Sequence, residues 1–182
     1  TKILLKGLGV KTLPYFVAES VSDVPAAEKV TGLPAIVKPA RLGSSIGVAR
    51  ARSSGEYSFA VESALCYDKR ALCEPYIADR REINCAAYYA DGKVVVSECE
   101  EAFSSGGLLT FDDKYSGGGR SVIPADIPEQ TAAEIKEITR SVYSSLGMRG
   151  ISRFDYILSG GEIFLSEVNT VPGTMAWYLF AP

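Results

Sequence analysis

Histidine is absent from all 182 residues. Ser-His-Asp and Cys-His catalysis within this chain are therefore excluded, as are zinc sites that need imidazole. The four cysteines, Cys66, Cys73, Cys85 and Cys99, form no Cys-x-x-Cys pair. Thiolate metal spacing is thus missing, and reduced thiols filling core positions are expected, as in a cytosolic protein. No apolar run approaches the ~20 residues of a membrane helix. Excess charge of one sign is also missing: the net charge is −3, which gives no electrostatic footprint for nucleic acid. There is no internal repeat and no low-complexity linker. No secretory signal opens the chain. Thr1-Lys2-Ile3-Leu4-Leu5 reads as a helix already under way, and the chain stops just after the apolar stretch Met175 to Phe180. A fragment of a longer cytoplasmic polypeptide is expected.

What is present is an ordinary globular composition, 47% hydrophobic and 23% charged, enough for one core or for two small lobes. Gly9 is the expected stop of the opening helix, and Tyr15 to Ala18 reads as a short strand. Ser22-Asp23 opens a helix that Gly32 ends. Pro34 to Pro39 is a β run, Ser54 to Leu65 a helix and Ala71 to Glu74 a short strand. Glu82 to Ala90 and Lys93 to Glu98 read as a hairpin around Asp91-Gly92. Ser104 to Arg120, rich in glycine, reads as a long loop, mobile without ligand and ordered with it. Pro128 to Leu146 is the clearest helix, with Ile135, Ile138, Val142 and Leu146 on its buried face.

The chemistry concentrates between Ile151 and Gly173. Two β runs flank Gly160-Gly161. Residues two apart on a strand share a face, so Arg153 pairs with Asp155, and Glu167 with Asn169. If the faces coincide, three oxygen ligands meet beside one guanidinium. Oxygen-only ligands suit a hard cation such as Mg²⁺, and a fixed cation suits a developing anion. The plain alternative is a half-exposed hairpin with its charges in water. A shared metal requires Asp155 and Glu167 opposite one another and Arg153 opposite Asn169. The expected solution is a three-residue connection, Gly160 to Glu162, with a left-handed glycine and a bulge beside it. The Gly-Gly sequence by itself favours a two-residue turn instead.

Gly43-Ser44-Ser45-Ile46-Gly47 is a glycine-bounded loop between strands. Its N–H groups and hydroxyls could wrap a phosphate, or it could be an ordinary turn; it is not a Walker A loop. Lys38 either snorkels to solvent or reaches an anion. Lys114, in the long loop, is either a solvated charge or a phosphate ligand. Together with the acidic hairpin these features point to a nucleoside triphosphate site.

Val37-Lys38-Pro39, Gly43 to Gly47, Asp113-Lys114-Tyr115, Arg153-Phe154-Asp155 and Glu167 to Gly173 together resemble the D-alanine–D-alanine ligases of the ATP-grasp superfamily, over essentially the whole chain. The resemblance implies an α+β, ATP-grasp fold. Two α+β lobes with mainly antiparallel sheets would enclose a nucleotide cleft, residues 1–77 forming the small lobe and 78–182 the large one. It implies ATP with Mg²⁺, or Mn²⁺. Lys38, Ser44, Ser45 and Lys114 would meet phosphates. Glu74, Pro75, Tyr76 and Ile77 would lie beside adenine and Glu82 at the ribose. Asp155, Glu167 and Asn169 would hold the metal. Arg153 would stabilise the oxyanion, and Ser44, Lys114 and Tyr115 would complete the catalytic set.

The implied reaction joins two D-alanines through an acyl phosphate, for peptidoglycan precursors. The implied partners are small molecules and a second copy of the full-length protein, not nucleic acid or membrane. The family's N-terminal domain is not in this chain, and dipeptide synthesis is not expected of the chain alone. Tyr178 stands where a substrate-binding serine is usual, and Pro75 removes a backbone donor near adenine. Tyr115 resembles the tyrosine of ligases that prefer D-alanine to D-lactate. D-serine or D-lactate as acceptor, other carboxylate and amine substrates, or nucleotide binding without catalysis are the alternatives.

Overall fold

The computed structural model describes residues 1–103 and 120–181. Lys114, Tyr115 and the long glycine-rich loop lie outside the described residues. The chain opens on α1 (Lys2–Gly7). Two compact units follow, one built on Leu13–Ala78, the other on Thr1–Thr12, Asp79–Phe103 and Arg120–Pro182.

In the first unit, β1 (Phe16–Ala18) leads through a 3₁₀ turn, Val21–Asp23, to α2 (Val24–Thr31). The Asp23 carboxylate accepts from the Glu19 and Ser20 N–H groups at 2.9 and 3.0 Å, and these bonds hold its pKa below the usual carboxylate range. Gly32, at φ +66°, ends α2. Next come β2 (Ala35–Pro39), β3 (Ala49–Ala51), α3 (Ser54–Leu65) and β4 (Ala71–Pro75). Ser53 caps α3 by accepting from the Glu56 N–H. The strands form an antiparallel sheet in the order β1-β4-β2-β3. Ala35, Val37, Ala51, Ala71 and Cys73 face Ala27, Tyr57 and Val61 of the two helices in one core. The alternate residues, among them Lys38 and Glu74, therefore lie on the sheet's other face.

The second unit contains β5 (Arg81–Ala90), β6 (Lys93–Val96), β7 (Glu100–Phe103), β8 (Arg120–Val122), α4 (Glu129–Ser145), β9 (Ser152–Ser159) and β10 (Glu162–Asn169). A 3₁₀ segment, Gly173–Phe180, follows. Sheet order is β10-β9-β5-β7-β8, with β6 also paired to β5. Ile83, Cys85, Phe154, Tyr156 and Leu165 meet Ile135, Val142 and Tyr143 of α4 in the core.

Four details differ from the sequence reading. Strands β7 and β8 are not among the elements read from the sequence; Glu is depleted in strands, which hides β7, and β8 is only three residues long. Here Glu100 and Glu101 are buried and satisfied by Asn84 and Arg81. Leu146 lies past the end of α4 and is 37% exposed, and Thr139 and Tyr143 occupy the buried face instead. Their hydroxyls bond Tyr156 and the Gly150 carbonyl, each at 2.7 Å. Cys66 is exposed rather than buried; Cys73, Cys85 and Cys99 are buried thiols. The hairpin turn also differs, as described below. Among the described residues, no helix is long and apolar enough to cross a membrane.

Candidate active site

The hairpin β9–β10 closes through a two-residue Gly160-Gly161 turn, with Ser159 paired to Glu162. Both glycines have positive φ, +57° and +79°, as a type I′ turn demands. The expected three-residue connection is therefore incorrect, because local turn chemistry prevails at the tip. The register that a shared metal requires is restored further along. Leu165 pairs with Tyr156 and Glu167 with Asp155, leaving Ser166 as the extra residue of a bulge. Asp155 thus stands opposite Glu167, and Arg153 opposite Asn169.

The same ladder extends inward. Asn84 of β5 pairs with Asp155 on one side and with Glu100 of β7 on the other. Paired residues point the same way, so Glu100, Asn84, Asp155 and Glu167 form a polar row across four strands. Glu82 lies two residues before Asn84 on that face, accepting from Arg80 Nε at 2.9 Å. The core side of the same strands carries Ile83, Cys85, Phe154 and Tyr156.

Arg153 and Asp155 form a two-point pair, Nε to Oδ1 at 2.7 Å and Nη2 to Oδ2 at 3.0 Å. Asn169 Nδ2 donates to Asp155 Oδ2 at 2.9 Å. Burial opposes the charge on Arg153, but the hydrogen bonds and charge of Asp155 outweigh it and push the guanidinium pKa further up. Arg153 is thus a permanent cation in a fixed orientation. Two carboxylates and a carboxamide on one face offer only oxygen ligands, a donor set that fits Mg²⁺ chemically. Among the described residues no three of His, Cys, Asp and Glu form a metal cluster, and this set contains only two such residues.

In the first unit, Lys38 Nζ lies 2.7 Å from Glu74 Oε2, so the lysine is ion-paired rather than simply snorkelling to solvent. Glu74 is buried and Lys38 partly so. Pro75 ends β4 opposite Ala35. The Tyr76 N–H donates to the Pro34 carbonyl at 2.9 Å, and its ring lies 4.7 Å from the Arg50 guanidinium carbon. Ile77 follows, one residue before the unit ends. Ser44 and Ser45 are both left-handed, at φ +56° and +59°, and Ile46 N–H closes onto the Gly43 carbonyl at 3.2 Å. Two consecutive non-glycine residues in this region store strain, a feature that clusters at ligand-binding loops.

The sequence reading missed Asn84 and Glu100. The signal was present for Asn84, two residues from Glu82 on one strand. Glu100 gave none, since its strand was not recognisable. Tyr178, singled out only as a departure, donates its hydroxyl to Glu100 at 3.0 Å.

Two antiparallel sheets, each with helices packed on one face, place the fold in the ATP-grasp class. A synthetase from Vibrio cholerae described as D-alanyl-alanine synthetase A shares it, with a TM-score of 0.82 at 28% identity over 96% of this chain and 55% of that one. A VanG D-Ala:D-Ser ligase from Enterococcus faecalis gives 0.78 at 28% identity, over 96% and 52%. The chain belongs to the D-alanine–D-alanine ligase family, whose C-terminal model, "D-ala D-ala ligase C-terminus", matches residues 4–181. The D-alanine–D-alanine ligase of Thermosipho melanesiensis is 34% identical over 99% of this chain and 51% of its own length. That of a Sulfurovum species is 37% identical, over 99% and 51%. The chain thus spans about half the length of the curated relatives it matches.

Proposed function

We propose that the protein containing these residues is an ATP-dependent, ADP-forming ligase that joins two D-alanines in the cytoplasm to make a peptidoglycan precursor. The observation that carries this reading is the bulged register that sets Asp155 against Glu167 and Arg153 against Asn169 on one open face. Binding alone gives no reason for a guanidinium clamped beside an oxygen donor set, whereas acyl and phosphoryl transfer does.

The unit on Leu13–Ala78 serves as the ATP-grasp small lobe and the other as the large lobe. Lys38, Ser44 and Ser45 bind phosphate. The Glu74 carboxylate holds the Lys38 ammonium in position for the phosphate. Pro75, Tyr76 and Ile77 flank adenine, and Glu82 accepts from ribose hydroxyls. Lys114 and Tyr115, outside the described residues, are assigned to the γ-phosphate and to the acceptor. Magnesium, or manganese in its place, would be held by Asp155, Glu167 and Asn169 and would supply charge neutralisation for phosphoryl transfer.

The donor carboxylate takes the γ-phosphoryl group and becomes an acyl phosphate. The acceptor amine then attacks the acyl carbon, and Arg153 stabilises the tetrahedral oxyanion before phosphate leaves. The two bonds that Arg153 donates to Asp155 orient the guanidinium in advance, so no reorganisation is needed as charge develops. D-serine as acceptor is the second reading, favoured by the structural likeness to a D-Ala:D-Ser ligase.

The deciding experiment supplies the full-length protein with ATP, Mg²⁺ and D-alanine, D-serine or D-lactate, and follows ADP and product. ADP release that depends on D-alanine, with dipeptide formed, is expected. Absence of D-alanine-dependent turnover would defeat the reading. Sedimentation of the same protein tests the homodimer.

A further inference from the structure

The four cysteines fall two to each unit. Cys66 and Cys73 belong to the unit on Leu13–Ala78, Cys85 and Cys99 to the other. Cys85 and Cys99 meet across two strands. Asn84 of β5 pairs with Glu100 of β7, and the next position along each chain is a cysteine. One step further, the Ser97 N–H donates to the Ala86 carbonyl at 2.9 Å. Glu98 and Cys99 therefore both oppose Cys85, as in a bulge. Both cysteines lie in the core cluster with Ile135, Phe154 and Tyr156. Ser97 Oγ is 3.8 Å from Cys85 Sγ, which holds that thiol on the Cys99 side of β5. The two thiols are hydrogen-bonded to each other. That bond, helped by the Lys136 ammonium, holds the Cys85 thiol below its ordinary range, while the same bond and burial push Cys99 up. Cys99 is thus the donor, and Cys85 the sulfur readier to become a thiolate.

Opposed residues of an antiparallel pair have Cα atoms about 4.5–5.5 Å apart, within the span of about 4.4–6.8 Å that a disulfide bridges. An S–S bond of about 2.05 Å is much shorter than a hydrogen bond between thiols, so bonding draws Cys99 towards Cys85. Asn84 and Glu100 adjoin the two cysteines and lie on the opposite face of the sheet. There they form one rung of the polar row that continues through Asp155 to Glu167. A covalent change in the core therefore reaches the candidate site through a single rung.

We propose that Cys85 and Cys99 are an oxidative modification site, at which a peroxide forms a disulfide that shifts the Asn84–Glu100 rung and slows the ligase. The Cys85 thiolate attacks one oxygen of hydrogen peroxide, the O–O bond breaks, and the released hydroxide leaves as water with the Cys85 proton. The Cys99 sulfur then attacks the Cys85 sulfenic acid, and its proton departs with the hydroxyl group as a second water. One S–S bond forms, and two electrons pass from the thiols to the peroxide. Hydrogen peroxide is small and uncharged, and β7 lies one strand from the sheet edge, so local opening of β8 admits it. The effect on activity rests on the ligase reading above; the disulfide does not.

The test uses the full-length protein carrying Cys66→Ser, which removes the exposed thiol and with it crosslinking between molecules. The reduced, folded protein is treated with hydrogen peroxide, free thiols are blocked, and peptides are mapped by mass spectrometry. A Cys85–Cys99 linked peptide is expected, with Cys73 still free. ADP release should fall at least about tenfold, since a displacement of ~1 Å around a site can cost about a hundredfold, and dithiothreitol should restore it. Cys99→Ala should form no link, keep its activity under peroxide and leave a Cys85 sulfenic acid that dimedone captures. No link in the folded protein, or a link only after urea is added, would overturn the inference. A link without loss of ADP release would overturn it as well. No D-alanine-dependent ADP release from the reduced protein would overturn the ligase reading instead, and the peptide map would still decide the disulfide. Should Cys99→Ala not fold, the map and the reversal by dithiothreitol decide on the parent alone.

Discussion

Gly47 closes the serine loop, and its replacement by alanine tests whether that loop is as tightly built as it looks. Two penalties add at this position. The backbone sits at φ +71°, where an L side chain costs ~1–2 kcal/mol. An added Cβ would stand 2.8 Å from Pro39 Cγ and 3.2 Å from the Tyr67 ring, too close without a shift. Overpacking of this kind costs ~1–3 kcal/mol. The sum for Gly47→Ala is ~2–5 kcal/mol, and for a protein of this size a melting temperature lower by roughly 5–15 °C. Gly43→Ala is the control. It opens the same loop, has nothing within 4 Å of its Cβ and no positive φ, so a change within about 0.5 kcal/mol is expected. Thermal and urea unfolding of the two variants beside the parent give the comparison. Equal stability of Gly47→Ala and Gly43→Ala would refute the packing of the loop on Pro39 and Tyr67. Because Pro39 follows Lys38, Gly47→Ala should also weaken ATP binding more than Gly43→Ala does, as read by calorimetry with an ATP analogue.

Glu167→Gln keeps shape but removes the charge of the proposed metal ligand opposite Asp155, so the full-length variant should lose most ligase activity, partly recoverable at high Mg²⁺; near-normal turnover at low Mg²⁺ would reject the metal assignment. Ser152 Oγ is fully buried with no hydrogen-bond partner, so Ser152→Ala should be neutral or stabilising by up to about 1 kcal/mol in urea unfolding, and clear destabilisation would show that the hydroxyl is satisfied. Asp68 is held at about 2, chiefly by its hydrogen bonds from Arg41. A carboxylate whose folded pKa is depressed stabilises above its unfolded value near 3.9 and loses that contribution as pH falls towards 2. Asp68→Asn should therefore be less stable than the parent at neutral pH, with the gap closing between about pH 4 and 2; a pH-independent gap would argue against the ion pair.

The sequence by itself determined the elements whose signal is local. Helix α3 runs over the expected Ser54–Leu65, and α4 differs from its expected bounds only at the ends. Their spacing and caps are properties of neighbouring residues. The alternation in β9 and β10 also put Arg153 with Asp155 on one face, and Glu167 with Asn169, whatever the partner strand. Whether those two faces coincide was not a local question. Gly160-Gly161 dictates a two-residue turn, and unbroken pairing from that turn would have set Asp155 against Ser166. Only packing of the whole sheet, with Val168 set on the core opposite Phe154, makes Ser166 the extra residue and brings Glu167 opposite Asp155. The same holds for β7. Glu100 and Glu101 look like solvated charges in a linear reading and become strand residues because Asn84 and Arg81 of a distant segment satisfy them. Buried polar groups are determined by partners far away in sequence, and for that reason the polar row from Glu100 to Glu167 exists only in the tertiary structure.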